Sequence, residues 1–190
     1  MKEPLVTIVT ATYNGAKYLC EAIDSVIAQD YPCKEYVIVD DASSDETAQI
    51  LEEYAVQHSW IRILRNQKNL ERSRSRNKAI QAAKGKYVAF LDDDDVWADP
   101  QKLSKQVAFL EQQPAHVLLG TQVAVIDELG ELRDDFILIR AEDGEIRKHF
   151  LKSNQFIFST VMVKRATLLE VGGFIEDHFL AEDYELWLKL

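Results

Sequence analysis

Basic charge is what this chain is short of. Of its 190 residues, 22 are Lys or Arg against 32 Asp or Glu, a formal net charge of −10. Non-specific nucleic-acid binding needs a basic surface to neutralise phosphates, so the balance argues against that class. A phosphorylated ligand would need a divalent cation to mediate. Cysteine is scarce too: Cys20 and Cys33 form no CxxC pair and cannot build a disulfide framework, so both read as free thiols in a reducing compartment. No run approaches the ~18 apolar residues of a membrane-spanning helix. The apolar stretch at 5–11 is too short even for the core of a signal peptide. The seven glycines never form GxGxxG, and no GxxxxGKS or GxxxxGKT occurs, so the dinucleotide fingerprint and the P-loop are both missing. GxSxG is absent, and His58, His116, His149 and His178 are scattered without metal-ligand spacing. What is present is a 47% hydrophobic chain of one-domain length, with ample material for a core.

Over the first hundred residues that material alternates. Short β-branched or apolar runs at 5–11 (LVTIVTA), 36–39 (YVIV), 61–64 and 87–91 (YVAFL) read as strands. Between them, apolar residues at helical spacing predict helices over 16–29, from Ser43 through Ala55, and up to Ala83. Ser43 with Glu46 fits a capping box, Gly85 stands where a helix C′ glycine belongs, and Asp99-Pro100 reads as N-cap and N1 of a fourth helix. Continuous apolar strands separated by amphipathic helices imply an α/β protein whose mostly parallel sheet is covered on both faces. After about Pro114 the pattern loosens. Residues 117–126, 136–139 and 156–163 read as strands, 127–130 as a turn, and 142–152 as a helix. The stretch 182–190 reads as the first turns of a helix cut short, which makes a longer parent protein the expectation.

In parallel sheets, ligands bind beyond the carboxyl ends of the strands. Two acidic clusters fall there. Asp92, Asp93, Asp94 and Asp95 follow the fourth strand; four adjacent carboxylates repel one another, and either full solvation or a cation must offset that. Asp92 and Asp94, two apart, could face one metal, and such oxygen ligands suit Mg²⁺ or Mn²⁺. Asp40-Asp41 closes the second strand, as a polar turn or as the other wall of the same crevice. Glu182-Asp183 opens the last helix, where helix-dipole chemistry alone can account for acids. The local basic cluster of Arg72, Arg74, Arg76 and Lys78 reads either as an exposed helix face or as a contact for phosphate or base.

Five blocks occur in order: TIVTATYNGAKYL, EYVIVDDASSDET, NQKNLERSRSRNKAIQAAKGKYVAFLDDDDVW, VGGF and EDYELW. Together they resemble the inverting family-2 glycosyltransferases of GT-A fold, over nearly the whole chain. The resemblance implies a Rossmann-like, mostly parallel sheet flanked by helices, with a mixed-sheet half at the C-terminal, acceptor side. One domain, 1–190, would divide into a nucleotide-sugar half, 1–113, and an acceptor-side half, 114–190. It implies an enzyme taking a sugar from a nucleotide-diphosphate donor, UDP by default, and passing it to a saccharide or lipid-linked acceptor in cell-surface polysaccharide or glycoconjugate synthesis. Carried over residue by residue, Ala11 and Tyr13 border the base and Asp41 bonds its edge. Arg76 lies near base or ribose. Asp92, or Asp93 in its place, holds the ribose or sugar side. Asp94 ligates a Mn²⁺ or Mg²⁺ that bridges the diphosphate, and Asp183 is the general base. Gly172, Gly173 and Glu182 belong to the acceptor side. The setting implied is cytoplasmic, reaching the inner face of a membrane through the acceptor or a further C-terminal part. Two positions depart from the family pattern: Glu71 stands where Asn-Leu-Gly is usual, and Ile175 intervenes between Gly-Gly-Phe and the acid Glu176.

Three other readings compete. A phosphoacceptor receiver domain needs an acid pair after its first strand, where this chain has Thr12-Tyr13-Asn14. A nucleotidyltransferase needs a Gly-rich phosphate loop near the N-terminus, and none is present. A sugar-nucleotide-binding fragment without turnover is separated from an enzyme by assaying donor hydrolysis with and without acceptor.

Overall fold

A computed structural model describes residues 3–133, 137, 139–176 and 181–190. The expected alternation is present: β1 (Val6–Thr12), α1 (Leu19–Ile27), β2 (Lys34–Asp40), α2 (Thr47–Gln57), β3 (Ile61–Arg65), α3 (Arg72–Ala82), β4 (Tyr87–Phe90) and α4 (Lys102–Gln112). β5 (Leu118–Leu119), α5 (Asp143–Phe150), β6 (Met162–Lys164), α6 (Arg165–Glu170) and α7 (Glu182–Lys189) follow. The strands form one six-stranded sheet in the order β3-β2-β1-β4-β6-β5. β1 to β4 run parallel, with β1 paired to both β2 and β4, whereas β6 pairs antiparallel to both β4 and β5. The sheet is therefore mixed on its C-terminal side.

Strand periodicity divides the core in two. Val6 and Ile8 of β1, Tyr36 and Ile38 of β2, and Tyr87 and Ala89 of β4 point to the face covered by α1, α2 and α4. Val9, Val37, Val39, Val88 and Phe90 point to the face covered by α3, α6 and α7. Every one of these side chains is buried, as continuous apolar strands require of a sheet covered twice. The chain leaves β1 toward β2 and β3, then returns to the other side of β1 as β4. That reversal opens a crevice at the carboxyl ends of β1 and β4.

Several local expectations give way. The Ser43–Glu46 capping box does not form: Glu46 is the N-cap with no side-chain bond, Asp45 Oδ1 accepts the Thr47 N–H, and Ser43 Oγ accepts the Asn14 N–H across to the β1 loop. Gly85 is no left-handed cap. A Cβ there would lie 2.6 Å from Thr7 N and 2.8 Å from Leu5 O, so glycine is needed for close approach to β1. Helix α4 starts two residues late, at Lys102, because Asp99 folds an Asx turn onto Gln101 N (2.9 Å). The long strand expected over 117–126 shrinks to Leu118–Leu119, followed by a single bridge between Ile126 and Leu132 around the expected turn. The strand expected over 156–163 is a 3-10 turn, Phe158–Thr160, then β6. Of the strand expected over 136–139, Phe136 and Leu138 lie outside the described residues, and Ile137 and Ile139 are not in strands. Both cysteines are free thiols. Among the described residues no helix is long and apolar enough to cross a membrane.

Candidate active site

The crevice holds a pocket of about 320 Å³ lined by Ala11, Thr12, Tyr13, Asp41, Asn69, Glu71, Arg72, Arg76 and the run Asp92–Asp94. Seven residues singled out in the sequence thus meet in one place: Ala11 and Tyr13 at the end of β1, Asp41 after β2, Arg76 on α3, and Asp92, Asp93 and Asp94 after β4. Tyr13 keeps 51% of its surface exposed, so its ring is free to meet a flat ligand.

The four aspartates are held differently. Asp92 Oδ1 accepts from Arg76 NH2 at 2.5 Å, and its backbone N–H donates to Ser159 Oγ at 2.9 Å. Asp93 Oδ2 accepts from the Thr12 hydroxyl, and Asp95 Oδ2 from the Ser159 hydroxyl at 2.5 Å. Burial pushes the carboxyls of Asp92, Asp93 and Asp95 upward; Arg76, Thr12 and Ser159 respectively oppose that shift. Asp94 is exposed and makes no hydrogen bond or ion pair with the described residues. The run is thus three tethered carboxylates around one that is free.

Asp41 is buried. Its Oδ1 accepts from Asn66 Nδ2 (2.7 Å) and from the Leu70 N–H (2.9 Å), leaving Oδ2 for a ligand. Asp40 serves the scaffold instead. Its Oδ1 accepts the Ser43 N–H at 2.8 Å, and its Oδ2 pairs with Arg65 Nε at 3.2 Å. The basic cluster splits in the same way. Arg72 is exposed, whereas Arg76 is 3% exposed, so the exposed-face reading fails for it. Its two amino groups are engaged by Asp92 (2.5 Å) and by Glu182 Oε1 (3.0 Å), and its guanidinium lies 3.7 Å from the centroid of the Phe158 ring. A planar fork suits such bridging where an ammonium does not.

Through that bridge the start of α7 is drawn to the aspartate run. Glu182, expected on the acceptor side, is a buried partner of Arg76, with Arg72 at 3.6 Å. Asp183 sits beside it, half-buried; its Oδ2 accepts from Asn154 Nδ2 at 2.9 Å and its Oδ1 from the Tyr184 N–H at 2.7 Å. Gly172 and Gly173, at φ +81° and +71°, close α6; Gly173 lies against Asn77 of α3, which bonds both backbone groups of Phe174. They line neither this pocket nor the larger cavity beside it.

Sequence reasoning missed Ser159, Asn66 and Asn154, single polar residues without local pattern. It flagged Glu71 as a departure, and the backbone shows why: Glu71 sits at φ +69°, ψ 160°, a region that glycine alone visits without strain. The second departure places Glu176 Oε1 3.1 Å from Asn77 Nδ2.

A second cavity, about 860 Å³, opens beside the pocket and shares Asp94 with it. It is bounded by the loop 94–99, the stretch 121–132, Ile137 and the turn at 157–160.

No group of three or more His, Cys, Asp or Glu side chains placed to hold a metal exists among the described residues. The donor set still fits a hard cation held through one or two carboxylates with the remaining ligands from a diphosphate, as Mg²⁺ commonly is. Asp94 is the side chain free to hold such an ion.

A sheet parallel from β3 to β4 and antiparallel at its β6 edge, with an acidic crevice at its switch point, defines an α/β domain of the GT-A glycosyltransferase kind, and the known proteins it resembles share that fold. A mannosyltransferase from Pyrobaculum calidifontis, solved with GDP-Man and Mn²⁺, matches with a TM-score of 0.76 and 25% identity over 98% of this chain and 51% of its own. TarS 1–349 of S. aureus, solved with UDP-GlcNAc, matches with a TM-score of 0.77 and 25% identity over 97% of this chain and 52% of its own. The family model for glycosyl transferase family 2 matches residues 7–171, and the chain belongs to that family. An uncharacterized glycosyltransferase of Methanocaldococcus jannaschii is 36% identical over all of this chain, which spans 65% of that relative's length.

Proposed function

We propose that this chain carries the donor site and the base of a metal-dependent inverting glycosyltransferase that uses a uridine-diphosphate sugar. The observation that carries the reading is the convergence on one pocket of Tyr13, Asp41 and the run Asp92–Asp94, with Asp94 the member left unengaged. The base lies against Tyr13 and Ala11. Asp41 selects it: with Oδ1 filled by Asn66 and Leu70, one oxygen remains. The uracil edge offers one N–H between two carbonyls and needs one acceptor. Guanine offers two adjacent N–H donors and suits a carboxylate with both oxygens free.

Asp92 is fixed by Arg76 to receive the ribose or sugar hydroxyls, with Asp93 beside it. Asp94 would hold the Mn²⁺ or Mg²⁺, which supplies charge neutralisation to the diphosphate leaving group in a chain of net charge −10. Asp183, oriented by Asn154, takes the proton from the acceptor hydroxyl. The hydroxyl oxygen then bonds to the anomeric carbon as the bond to the diphosphate breaks, and one such displacement inverts the centre. A cytoplasmic setting suits a protein whose two cysteines are free thiols.

Calorimetry tests the reading. UDP-sugar should bind in the presence of Mn²⁺, lose most of its affinity on adding EDTA, and lose it likewise in Asp94→Asn. GDP-sugar should bind at least about tenfold more weakly, the worth of one unmatched polar group. Donor binding that is indifferent to chelation and to Asp94→Asn would sink the metal reading. Equal affinity for GDP-sugar would sink the uracil assignment.

A further inference from the structure

Large hydrophobic residues left exposed on this protein are not scattered evenly. Val96, Ile126, Leu132, Ile137 and Ile157 all line the 860 Å³ cavity, Leu132 with 77% of its surface open and Ile137 with 46%. The indole of Trp97 forms part of the wall, held by a 2.7 Å bond from Nε1 to the Ser159 carbonyl. Three separate stretches of chain contribute these side chains, so the apolar lining is assembled by the fold. A cavity so lined suits a ligand with an apolar part.

Its charges restrict the ligand. Six carboxylates stand around the cavity against two lysines. Both lysines are engaged: Lys105 Nζ donates to Asp99 at 2.7 Å, and Lys102 Nζ donates to Gln106 at 2.8 Å beneath the Trp97 ring. A phosphate or carboxylate in the cavity would meet carboxylates with no uncommitted cation among the lining residues.

The cavity also has a reactive end. Asp94 belongs to both it and the donor pocket. On the other side, Ile157 and Ser159 lie a few residues along the chain from Asn154, the hydrogen-bond partner of Asp183. Asp183 itself lines neither cavity, so the contact of this site with the donor pocket is through Asp94.

We propose that the larger cavity binds the acceptor, and that the acceptor is an uncharged amphiphile: a sugar or polyol headgroup carrying an alkyl or acyl chain. The chain lies against Trp97, Val96, Ile126 and Ile157, with the headgroup at the Asp94 end, where the cavity meets the donor pocket. This rests on the glycosyltransferase reading for the identity of the headgroup, but the apolar site itself does not.

Trp97 provides the readout. Alkyl glucosides brominated on the chain, used below their micelle concentration, should quench its fluorescence saturably. Trp97→Phe, which leaves Trp60 and Trp187 in place, identifies the signal. Affinity should rise about threefold per added methylene between six and ten carbons. Alkyl phosphates of equal length should bind at least about tenfold more weakly. Ile126→Asp and Ile157→Asp, at positions exposed enough to leave the fold intact, should each weaken binding about tenfold while Mn²⁺-dependent UDP-sugar binding is unchanged. Quenching that ignores chain length, survives both aspartates, or is as strong with alkyl phosphates overturns the proposal. Intact alkyl glucoside binding with no donor binding would instead refute the transferase reading and leave the apolar site standing.

Discussion

The donor pocket and the larger cavity share Asp94 and no other lining residue. The pocket is polar, small and built from the ends of the parallel strands β1, β2 and β4, where backbone direction is fixed by the sheet. The cavity is apolar and more than twice as large, and its walls are mostly loop, between the edge strand β5 and α5 and beside the 3-10 turn. The difference fits a division of labour. A nucleotide diphosphate is a constant partner and can be met by groups on a rigid frame, whereas an acceptor varies and is met by segments that tolerate change.

The comparison can be broken most severely at Arg76, which holds the rigid side together. Arg76→Met would leave Asp92 without its cation and Glu182 with only the exposed Arg72 at 3.6 Å, and denaturant unfolding should show a loss of about 3 kcal/mol. Arg76→Lys keeps the charge but not the fork, and should recover part of that loss. If Met is tolerated at no cost, the bridge does not organise the site.

Next comes Asp183. Asp183→Asn should preserve the fold and donor affinity while lowering the transfer rate by ~10²-fold or more. A variant that transfers at the parental rate would remove it as the base. Glu182→Gln should affect stability and donor affinity more than Asp183→Asn does, because Glu182 faces Arg76.

Asp41 sharpens the donor side. Asp41→Ala removes the base contact together with the support of Asn66 and Leu70, and should weaken UDP-sugar binding by about 10- to 100-fold by calorimetry. Asp40→Asn should weaken it less, since Asp40 serves Ser43 and Arg65.

A smaller effect separates strain from function at the pocket's rim. Glu71→Gly should stabilise the chain by about 1 kcal/mol, as relief of a φ of +69° outweighs the entropy glycine adds to the unfolded state. A destabilised variant would mean that contacts of the glutamate offset its strained backbone.

The smallest effect is in the cavity wall. Burial pushes the Lys102 amine down to about 7, from an ordinary value near 10.5. Between those values the unfolded chain holds more protons than the folded one, so this group makes stability rise with pH from about 7 upward. Below pH 7 the cost of the buried charge is fully present. Lys102→Met should raise the Tm by a few degrees at pH 6 and remove that part of the slope.

The same two regions differ in how far the sequence disclosed them. β1, β2 and β4 lie close to their expected bounds because each is a short run buried on both faces, a signal that is local, whereas β3 (IRILR) alternates and is buried only at Ile61. The acid that ends a strand is a local signal too, and Asp41 and Asp92–Asp94 stand out for that reason, whereas Tyr13 is marked only by the family resemblance. The stretch 117–126 has strand-like composition, but beyond Leu119 it borders the cavity instead of pairing. Phe158–Thr160 turn back as a 3-10 segment because Ser159 is bonded to the aspartate run. Tertiary contacts override β-propensity in both places. Arg76 was half legible: helix spacing shows a basic row, but its partner Glu182 is 106 residues away. The strain at Glu71 could be suspected only as a departure from a family pattern.

Ser159 has a consequence in time. Its hydroxyl accepts from Asp92 N and donates to Asp95, and its carbonyl accepts from Trp97. Synthesis runs from the amino end, so Asp95 leaves the ribosome 64 residues before the serine that clasps it. During that interval Asp95 and the Asp92 backbone stand without their fastening, although Arg76 and Thr12 are already made, and the flank of β4 that β6 will cover is open. Glu182, which completes the hold on Arg76, is made later still. A nascent chain therefore carries the acidic tip long before it carries a finished pocket.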